Sequence, residues 1–429
     1  MTASITGTAL ARAALSRLFE PSDTLGLGLV SVVGPVDALR IARREITAGS
    51  EVMDDLCRVL DVPAGRRDLL PAGLARWSPR VGDLAPERDL ATLARLGGRL
   101  IVPESGEWPS ALDDLQGAAP LCLWVRGSRP IPDLGQLVAL VGSRDSTTYG
   151  TSVTTDLASS LSLRGFCVAS GGAYGIDAQA HRAALATSAA DERPATLAVL
   201  ACGIDRYYPA GNEDLLREIA DRGLLISEVP PGSSPTRWRF LQRNRLIAAL
   251  SAVTVVVEAR WRSGALNTAH HAAGLGRAVG AVPGSVHSAN SAGCHRLLRD
   301  GSAVCVTDAA DIAELAGPLG VVASGDRARE EAAPGRDQDG LSIPDLLLLD
   351  GLPVRSATTV EKLSRVAGLA PRDVISGLAR LELAGLAERT GEGWHRAKGS
   401  PEPPAGPPTA GRAGRHERPH PPGHQGEPL

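Results

Sequence analysis

The chain has 429 residues, 43% of them apolar, enough to bury two or three domain cores. A formal net charge of −3 excludes a generally basic coat, so any surface for a polyanion must be a local patch. Cys57, Cys122, Cys167, Cys202, Cys294 and Cys305 are scattered without a CxxC pair, which argues against structural zinc and fits reduced thiols. The opening residues, MTASITGTALARAALSRLF, lack the apolar centre of a signal peptide, and no uninterrupted apolar run approaches a membrane span. The expectation is a soluble, cytoplasmic protein. Arginine carries nearly all of the positive charge, the lysines being Lys362 and Lys398 alone. That ratio holds along the whole chain, as codon bias in a GC-rich genome would produce.

Residues 1–80 read as a small helical domain. The stretches 9–19, 25–42 and 50–62 have apolar spacings of three and four, divided by glycine and proline into short helix-hairpin-like units. Such units can hold a DNA backbone at their turns but more commonly just pack. Residues 81–135 predict a helix, a strand at 99–103, a second helix and a strand at 120–127, together a first βα unit. From Leu137 strands and helices alternate with short glycine-marked links as far as 317. This pattern predicts an α/β fold with a doubly wound parallel sheet over 81–317, with ligands at the carboxyl ends of the strands. Residues 318–340 read as a polar linker. Residues 341–396 predict helix, turn, helix and a short hairpin, the outline of a winged helix. Residues 397–429 are rich in Pro, Gly and His without apolar period, so disorder is expected there. His416, His420 and His424 are spaced as metal ligands on a helix would be, but the prolines among them forbid that helix, and no metal is expected.

Several strand-to-helix junctions carry chemistry. In VALVGSRDSTTYG, Gly142 allows a tight turn, Ser143 offers a hydroxyl and Arg144 a guanidinium; the helix opening near 146–148 adds free N–H groups. This is a phosphate cradle or an ordinary turn. In ASGGAYGIDAQAHRAAL, Gly171 and Gly172 permit close backbone approach, and Asp177 falls at or near a helix N-cap, a structural place for it. His181, four residues on, could join Asp177 in acid–base chemistry, although a core or solvated histidine is commoner. In ACGIDRYYP, Tyr207 or Tyr208 either stacks a base or closes the core.

The strongest stretch is 232–267. Arg237, Arg239, Arg243 and Arg245 crowd together with Trp238 and Phe240, and no carboxylate intervenes between Glu228 and Glu258. Phosphates and unpaired bases suit such a surface. Arg237 and Phe240 are the first candidates for ligand contact, with Arg243, Asn244 and Arg245 beside them. On a helix over 239–250, Arg239 and Arg243 share a face and Arg245 does not, so Arg245 is also a candidate for scaffold. Ser263 and Gly264 open a further helix after a strand, a second anion site on the same rim. GxSxG, HExxH, Walker A and dinucleotide fingerprints are all absent, which favours binding a polyanion without cofactor over catalysis.

Together, GSR at 142–144, SGGAYGID at 170–177, CGIDRYYP at 202–209, SE at 227–228, F-x-x-RNR-x-I-A-x-L-S at 240–251 and SG-x-x-x-TA at 263–269 resemble the DNA-processing protein A (DprA, or Smf) family. The likeness runs from Leu137 to about Ala316, and the flanking helical and winged-helix stretches resemble that family's flanking domains more loosely. The resemblance implies an extended Rossmann-like domain that binds single-stranded DNA without enzymatic activity. It implies homodimers, and delivery of incoming strands to the RecA recombinase in natural transformation and recombination. It carries over Arg144, Arg237 and Phe240 as DNA contacts, with Arg237 in place of a lysine. His295, where the family usually has asparagine, and Ala265, where serine or threonine is common, depart from the pattern. Two rivals remain at this stage. A phosphoribohydrolase-like nucleotide-processing enzyme needs a glutamate in a PGGxGT-type loop, which SGGAYGID lacks. A duplex-DNA regulator would act through the winged helix, whose second helix offsets Arg372 and Arg380 with Asp373 and Glu382.

Overall fold

Apolar runs that are buried on both faces build the centre of the molecule. The computed structural model describes residues 7–188, 193–317, 341–354, 356–391 and 393–397. The linker expected at 318–340, and the tail expected beyond Ala397 with its three histidines, lie outside the described residues. The chain divides into two compact units, Met1–Ala323 and Ser324–Leu429.

In the first unit, β3 (Leu137–Gly142), β4 (Cys167–Ser170), β5 (Thr196–Val199), β6 (Leu224–Ser227), β7 (Val253–Glu258), β8 (Ala278–Ala281) and β9 (Val304–Cys305) pair in parallel. Their order across the sheet is β6-β5-β4-β3-β7-β8-β9. Helices α6 (Thr148–Leu163), α7 (Ile176–Thr187), α8 (Glu213–Arg222), α9 (Arg237–Leu250), α10 (Gly264–Gly274), α11 (Ala292–Arg299) and α12 (Ala309–Ala316) connect them. The two-residue period of β3 shows why its sequence is continuously apolar. Leu137, Ala139 and Val141 pack with Leu246, Leu250 and Leu266 on one face. Val138 and Leu140 pack with Leu157, Leu161 and Ala180 on the other. The predicted doubly wound parallel sheet is therefore present, and its winding reverses between β3 and β7.

The edge differs from expectation. β1 (Gly98–Ile101) and β2 (Leu123–Arg126) pair antiparallel with each other, and β2 pairs antiparallel with β6. They are not a βα unit. Pro109, Gly117 and Pro120 break the intervening stretch, leaving only a 3₁₀ segment, Ser110–Ala118, interrupted at Gln116 (φ 49°). Without a full helix to carry a parallel crossover, the chain returns antiparallel.

Helices α1 (Gly7–Leu18), α2 (Thr24–Ala42), α3 (Ser50–Val59), α4 (Leu69–Val81) and α5 (Pro86–Arg95) precede the sheet. Leu15, Leu18, Phe19, Leu29, Leu56 and Trp77 form their core. Asp23 ties it together, accepting from Gly26 N at 3.2 Å, Trp77 Nε1 at 2.9 Å and Arg76 Nη2 at 2.7 Å. Contrary to the sequence expectation, α2 is long and apolar enough to cross a membrane. In the structure it bends at Gly34 (φ 76°) before Pro35, and it places Leu25, Leu29, Val30, Ala38 and Ile41 in this core.

The second unit contains α13 (Ile343–Gly351), α14 (Val360–Ala367), α15 (Pro371–Leu383) and the antiparallel hairpin of β10 (Ala387–Thr390) and β11 (Gly393–Arg396). A single bridge joins Thr358 to Trp394. Leu348, Leu349, Leu363, Val374, Leu378 and Leu381 make its core. Asp345 pairs with Arg380 at 2.7 Å and is held below the usual aspartate range, chiefly by that hydrogen bond.

His181 is fully buried on α7, its Nδ1 2.8 Å from Thr196 Oγ1. Thr196 donates its own proton to Val168 O, so the imidazole must donate through Nδ1 and keep Nε2 bare. Nε2 has no hydrogen-bond partner, and burial pushes the ring's pKa down to about 3. This is a neutral core histidine, not an acid–base partner of Asp177. From pH 6.5, the unfolded value, down to about 3, the unfolded chain takes up a proton that the folded chain refuses, so stability is lost as pH falls through that window. Urea unfolding at about pH 7 and about pH 5 is expected to show a steeper loss in the wild type than in His181→Gln. Equal losses in the two proteins would contradict this protonation state.

Candidate nucleic-acid interface

Strand β3 ends where the chain can pass only without a side chain. A Cβ on Gly142 would lie 2.5 Å from Ile176 Cγ1 and 2.9 Å from Glu258 O. The buried Ser143 continues this tight passage: its N donates to Glu258 O at 2.7 Å and its O accepts from Ile176 N at 3.1 Å. Its hydroxyl donates to Asp145 Oδ1 at 2.6 Å. Arg144 is left exposed, with its guanidinium 5.3 Å from the centre of the Phe240 ring.

The start of α6 is not the free anion site expected from the sequence. Glu258, buried at the end of the neighbouring β7, accepts from Thr147 N at 2.9 Å and Thr147 Oγ1 at 2.6 Å. An internal carboxylate already occupies those donors. Gly150 makes room for it, since a Cβ there would lie 2.2 Å from Glu258 Oε2.

The glycines after β4 serve a side chain of the same molecule. A Cβ on Gly171 would lie 2.2 Å from Arg243 Nη2. Gly172 takes a left-handed backbone, φ 68°. The buried Arg243 donates through Nη1 to Gly171 O and, at 3.0 Å, to Val199 O, and its Nη2 lies 3.8 Å from Asp177 Oδ2. Burial pushes Asp177 up and Arg243 down, and the charge of each opposes the shift in the other. Asp177 is the second residue of α7 and also accepts from Ala173 N at 3.4 Å, which gives it the structural place anticipated for it.

Phe240 sits on the first turn of α9, half-buried between two guanidiniums, Arg144 at 5.3 Å and Arg243 at 5.2 Å from its centroid. The exposed Tyr208 leans on the same ring with centroids 5.7 Å apart. Tyr207 turns inward instead, packing on the α8 core with Arg217 and Arg126 over its ring. Of the two, Tyr207 closes the core and Tyr208 stays exposed.

The remaining arginines of this stretch separate. Arg245 is buried, bonded to Glu228 at 2.8 and 2.7 Å and to Ala118 O at 3.0 Å. Arg239 grips Glu20 at 2.9 and 3.0 Å, which ties α9 to the N-terminal helices. Arg237 is exposed, and no ion pair holds it among the described residues. Asn244 bonds across to Asn267 Oδ1 at 3.0 Å and Gly264 O at 3.3 Å. Arg243 and Arg245, expected beside the ligand, therefore have their guanidiniums committed within the fold. The helix begins at Arg237, two residues earlier than expected, and its turn carries 243 and 245 toward the sheet.

These elements enclose a cleft of about 320 Å³ at the reversal between β3 and β7, lined by Gly142, Ser143, Arg144, Phe240, Ser263 and Gly264 among others. Ser263 caps α10, accepting from Ala265 N at 3.3 Å. Arg260 and Arg262 also line it and were not singled out from the sequence, though RWR directly before a helix start was the available signal. Arg260 pairs with Asp145 and donates to Asn290 Oδ1 at 2.8 Å; Arg262 is exposed. The cleft's carboxylates, Asp145 and Asp177, both face arginines. Among the described residues no group of His, Cys, Asp and Glu could hold a metal. The cysteines are unpaired, and burial pushes the Cys122 and Cys167 thiols up to about 12.

A doubly wound sheet whose switch point carries outward arginines and an aromatic ring defines a binding protein for a phosphate-bearing ligand. Residues 99–317 match the model of the family described as DNA recombination-mediator protein A. The chain belongs to that family, whose members are DNA-binding recombination mediators and not enzymes. It is 43% identical over 413 residues to a DNA processing protein DprA of Mycobacterium tuberculosis, covering 92% of this chain and 98% of that one. To the Smf protein of Escherichia coli it is 33% identical over 317 residues, covering 73% of this chain and 81% of that one. The X-ray structure of DprA from Streptococcus pneumoniae superposes with a TM-score of 0.54 at 28% identity, over 72% of this chain and 98% of that chain.

Truncating Arg245 leaves Glu228 buried without its partner. Arg245→Ala is expected to lower the unfolding free energy by about 3–5 kcal/mol. Arg237→Ala is expected to stay within about 0.5 kcal/mol of the wild type. Urea denaturation of both variants checks this, and similar losses would contradict the division of the arginines.

Proposed function

We propose that the chain binds single-stranded DNA in the cleft between β3 and β7, protects it, and loads the RecA recombinase onto it in natural transformation and homologous recombination. The observation that carries this reading is Phe240, a half-buried ring flanked by guanidiniums at the edge of a cleft with Arg144, Arg237 and Arg262 exposed. A ring in that place offers its face to an unpaired base, while the arginines take phosphates. A duplex hides its base faces, so the single strand is the preferred form. Arg144, Arg237 and Phe240 contact DNA directly, and the start of α10 at Ser263 and Gly264 receives a phosphate. Gly142, Ser143, Arg243 and Asn244 line the cleft, Gly171 and Gly172 bring the chain past Arg243, and Arg245 braces α9 through Glu228. Relatives named for DNA processing support the DNA part of the reading.

The same reading makes the protein a cytoplasmic homodimer. Residues 1–80 would be a helical domain, 81–317 the DNA-binding domain and 341–396 a winged helix. The three helices, the hairpin and the Thr358–Trp394 bridge support that last assignment. On α15, Ile375 and Leu383 are exposed and Arg380 is tied to Asp345, which suits a protein partner better than a DNA groove.

Affinity for a labelled single strand is expected to fall with salt at a log–log slope of about −2, from roughly three phosphate contacts at about −0.7 each. Arg144→Ala/Arg237→Ala is expected to flatten that slope by about 1.4. Phe240→Ala should weaken binding by about 1–3 kcal/mol, the worth of one stacked base. Fluorescence anisotropy across a salt series measures all three. A preference for duplex, or an unchanged double variant, would move the site away from this cleft.

A further inference from the structure

Aromatic residues make up only 3% of the chain, and the exposed ones are not scattered. Among the described residues they are Tyr149, Tyr174, Tyr208, Trp238 and Trp261. Each follows a parallel strand at its carboxyl end, after β3, β4, β5, β6 and β7 in turn. Most have a local attachment. Tyr149 donates to Pro283 O at 2.6 Å, Tyr174 accepts from Gly211 N at 3.2 Å, Trp238 donates to Pro21 O at 3.0 Å, and Tyr208 leans on Phe240.

Trp261 is different. It is 52% exposed, and its indole makes no hydrogen bond among the described residues. Arg296, from α11, lies over its ring at 5.2 Å from the centroid. Its chain neighbours Arg260 and Arg262 line the cleft, while the Trp261 ring lies just outside that lining, against α11. An indole held by a cation on one side keeps its other face for one flat group. Arg260 is paired with Asp145 and Arg296 with Asp300, so the exposed Arg262 next in the chain is the cation left for a phosphate beside a base on this ring.

We propose that Trp261 is a second stacking platform for the same strand, taking a base on the β7 side of the cleft while Arg262 takes a phosphate between it and Phe240. This rests on the single-strand reading above and extends it along the rim. The order β5-β4-β3-β7 puts the loops bearing Tyr208 and Trp261 three strand spacings apart. That is roughly 14 Å at the usual separation. Tyr208 leans on Phe240, and stacked nucleotides rise about 3.4 Å each, so a separation of that order between the Phe240 and Trp261 rings would span a few nucleotides of one strand.

The test uses the full chain and an oligothymidylate of about 12 nucleotides, within the usual span of such sites. Trp261→Ala is expected to weaken binding roughly tenfold, within the range of one lost stack. Trp261→Tyr, which keeps a flat ring, is expected to stay within about twofold of the wild type. Saturating DNA should quench the tryptophan emission of the wild type more than that of Trp261→Ala. If Phe240→Ala weakens binding and Trp261→Ala does not, the second platform is overturned and the first stands. If Trp261→Ala and Trp261→Tyr weaken it equally, the ring is structural and stacking is overturned. If neither Phe240 nor Trp261 matters to a strand that binds, the cleft reading itself falls and this proposal falls with it.

Discussion

Everything at the rim depends on one buried cation. Arg243 reaches under Phe240 to the carbonyls of Gly171 and Val199, at the ends of β4 and β5, and faces Asp177 on α7. A guanidinium in such a place is costly unless it is compensated; here two backbone oxygens take Nη1 and the Asp177 carboxylate faces Nη2 at 3.8 Å, while Nε has no hydrogen-bond partner. The arrangement locks α9 to the strand ends in one register. Phe240, three residues earlier on the same helix, is thereby fixed at the mouth of the cleft. Gly171 is required for the same reason, because any side chain there would collide with the guanidinium.

The helix starts around the cleft are sorted by charge. The first turn of α6 is neutralised from within by Glu258, so it has little left to offer a ligand. The first turn of α9 contains Arg237 and Arg239 and no acid, which runs against the helix dipole. Glu20 relieves part of that strain by pairing with Arg239, and Arg237 keeps its charge in solvent. An anion near Arg237 would relieve the rest, so the helix is more comfortable with a phosphate at its start than without one. The start of α10 opens on the same cleft with only Ser263 as its cap.

Much of this was legible in the sequence because it rests on short-range rules. Continuous apolar runs between glycine-marked links specify buried parallel strands, and the crowded arginines around Phe240 marked the rim. Direction was read only in part: helical spacing set Arg245 apart as a candidate for scaffold and Arg237 was favoured for the ligand, but Arg243, also buried in the fold, could be separated from Arg237 only by the packing of α9 on the sheet. Glu258 looked like the end of a carboxylate-free stretch, whereas it fills an anion site across a strand pair, a contact 111 residues long in sequence. The antiparallel β1–β2 edge was hidden because a broken 3₁₀ segment and a helix share similar apolar spacing over so few residues. Arg260 and Arg262 were overlooked because the loop that bears them is short and lies outside the densest cluster.

The position of Arg144 over Phe240 bears on how a strand would enter. A guanidinium on a half-buried ring is worth about 0.5–2 kcal/mol, no more than the roughly 1–3 kcal/mol of a base stacked on an aromatic side chain. A base arriving there would take the ring face from Arg144 without loss. The displaced guanidinium, no longer on the ring, remains within reach of the phosphate next to that base. Arg243 cannot move in the same way, because its donors are held by the ends of two strands. The ring thus has one exposed cationic neighbour and one buried one, and a base that exchanged with Arg144 would come from the solvent side.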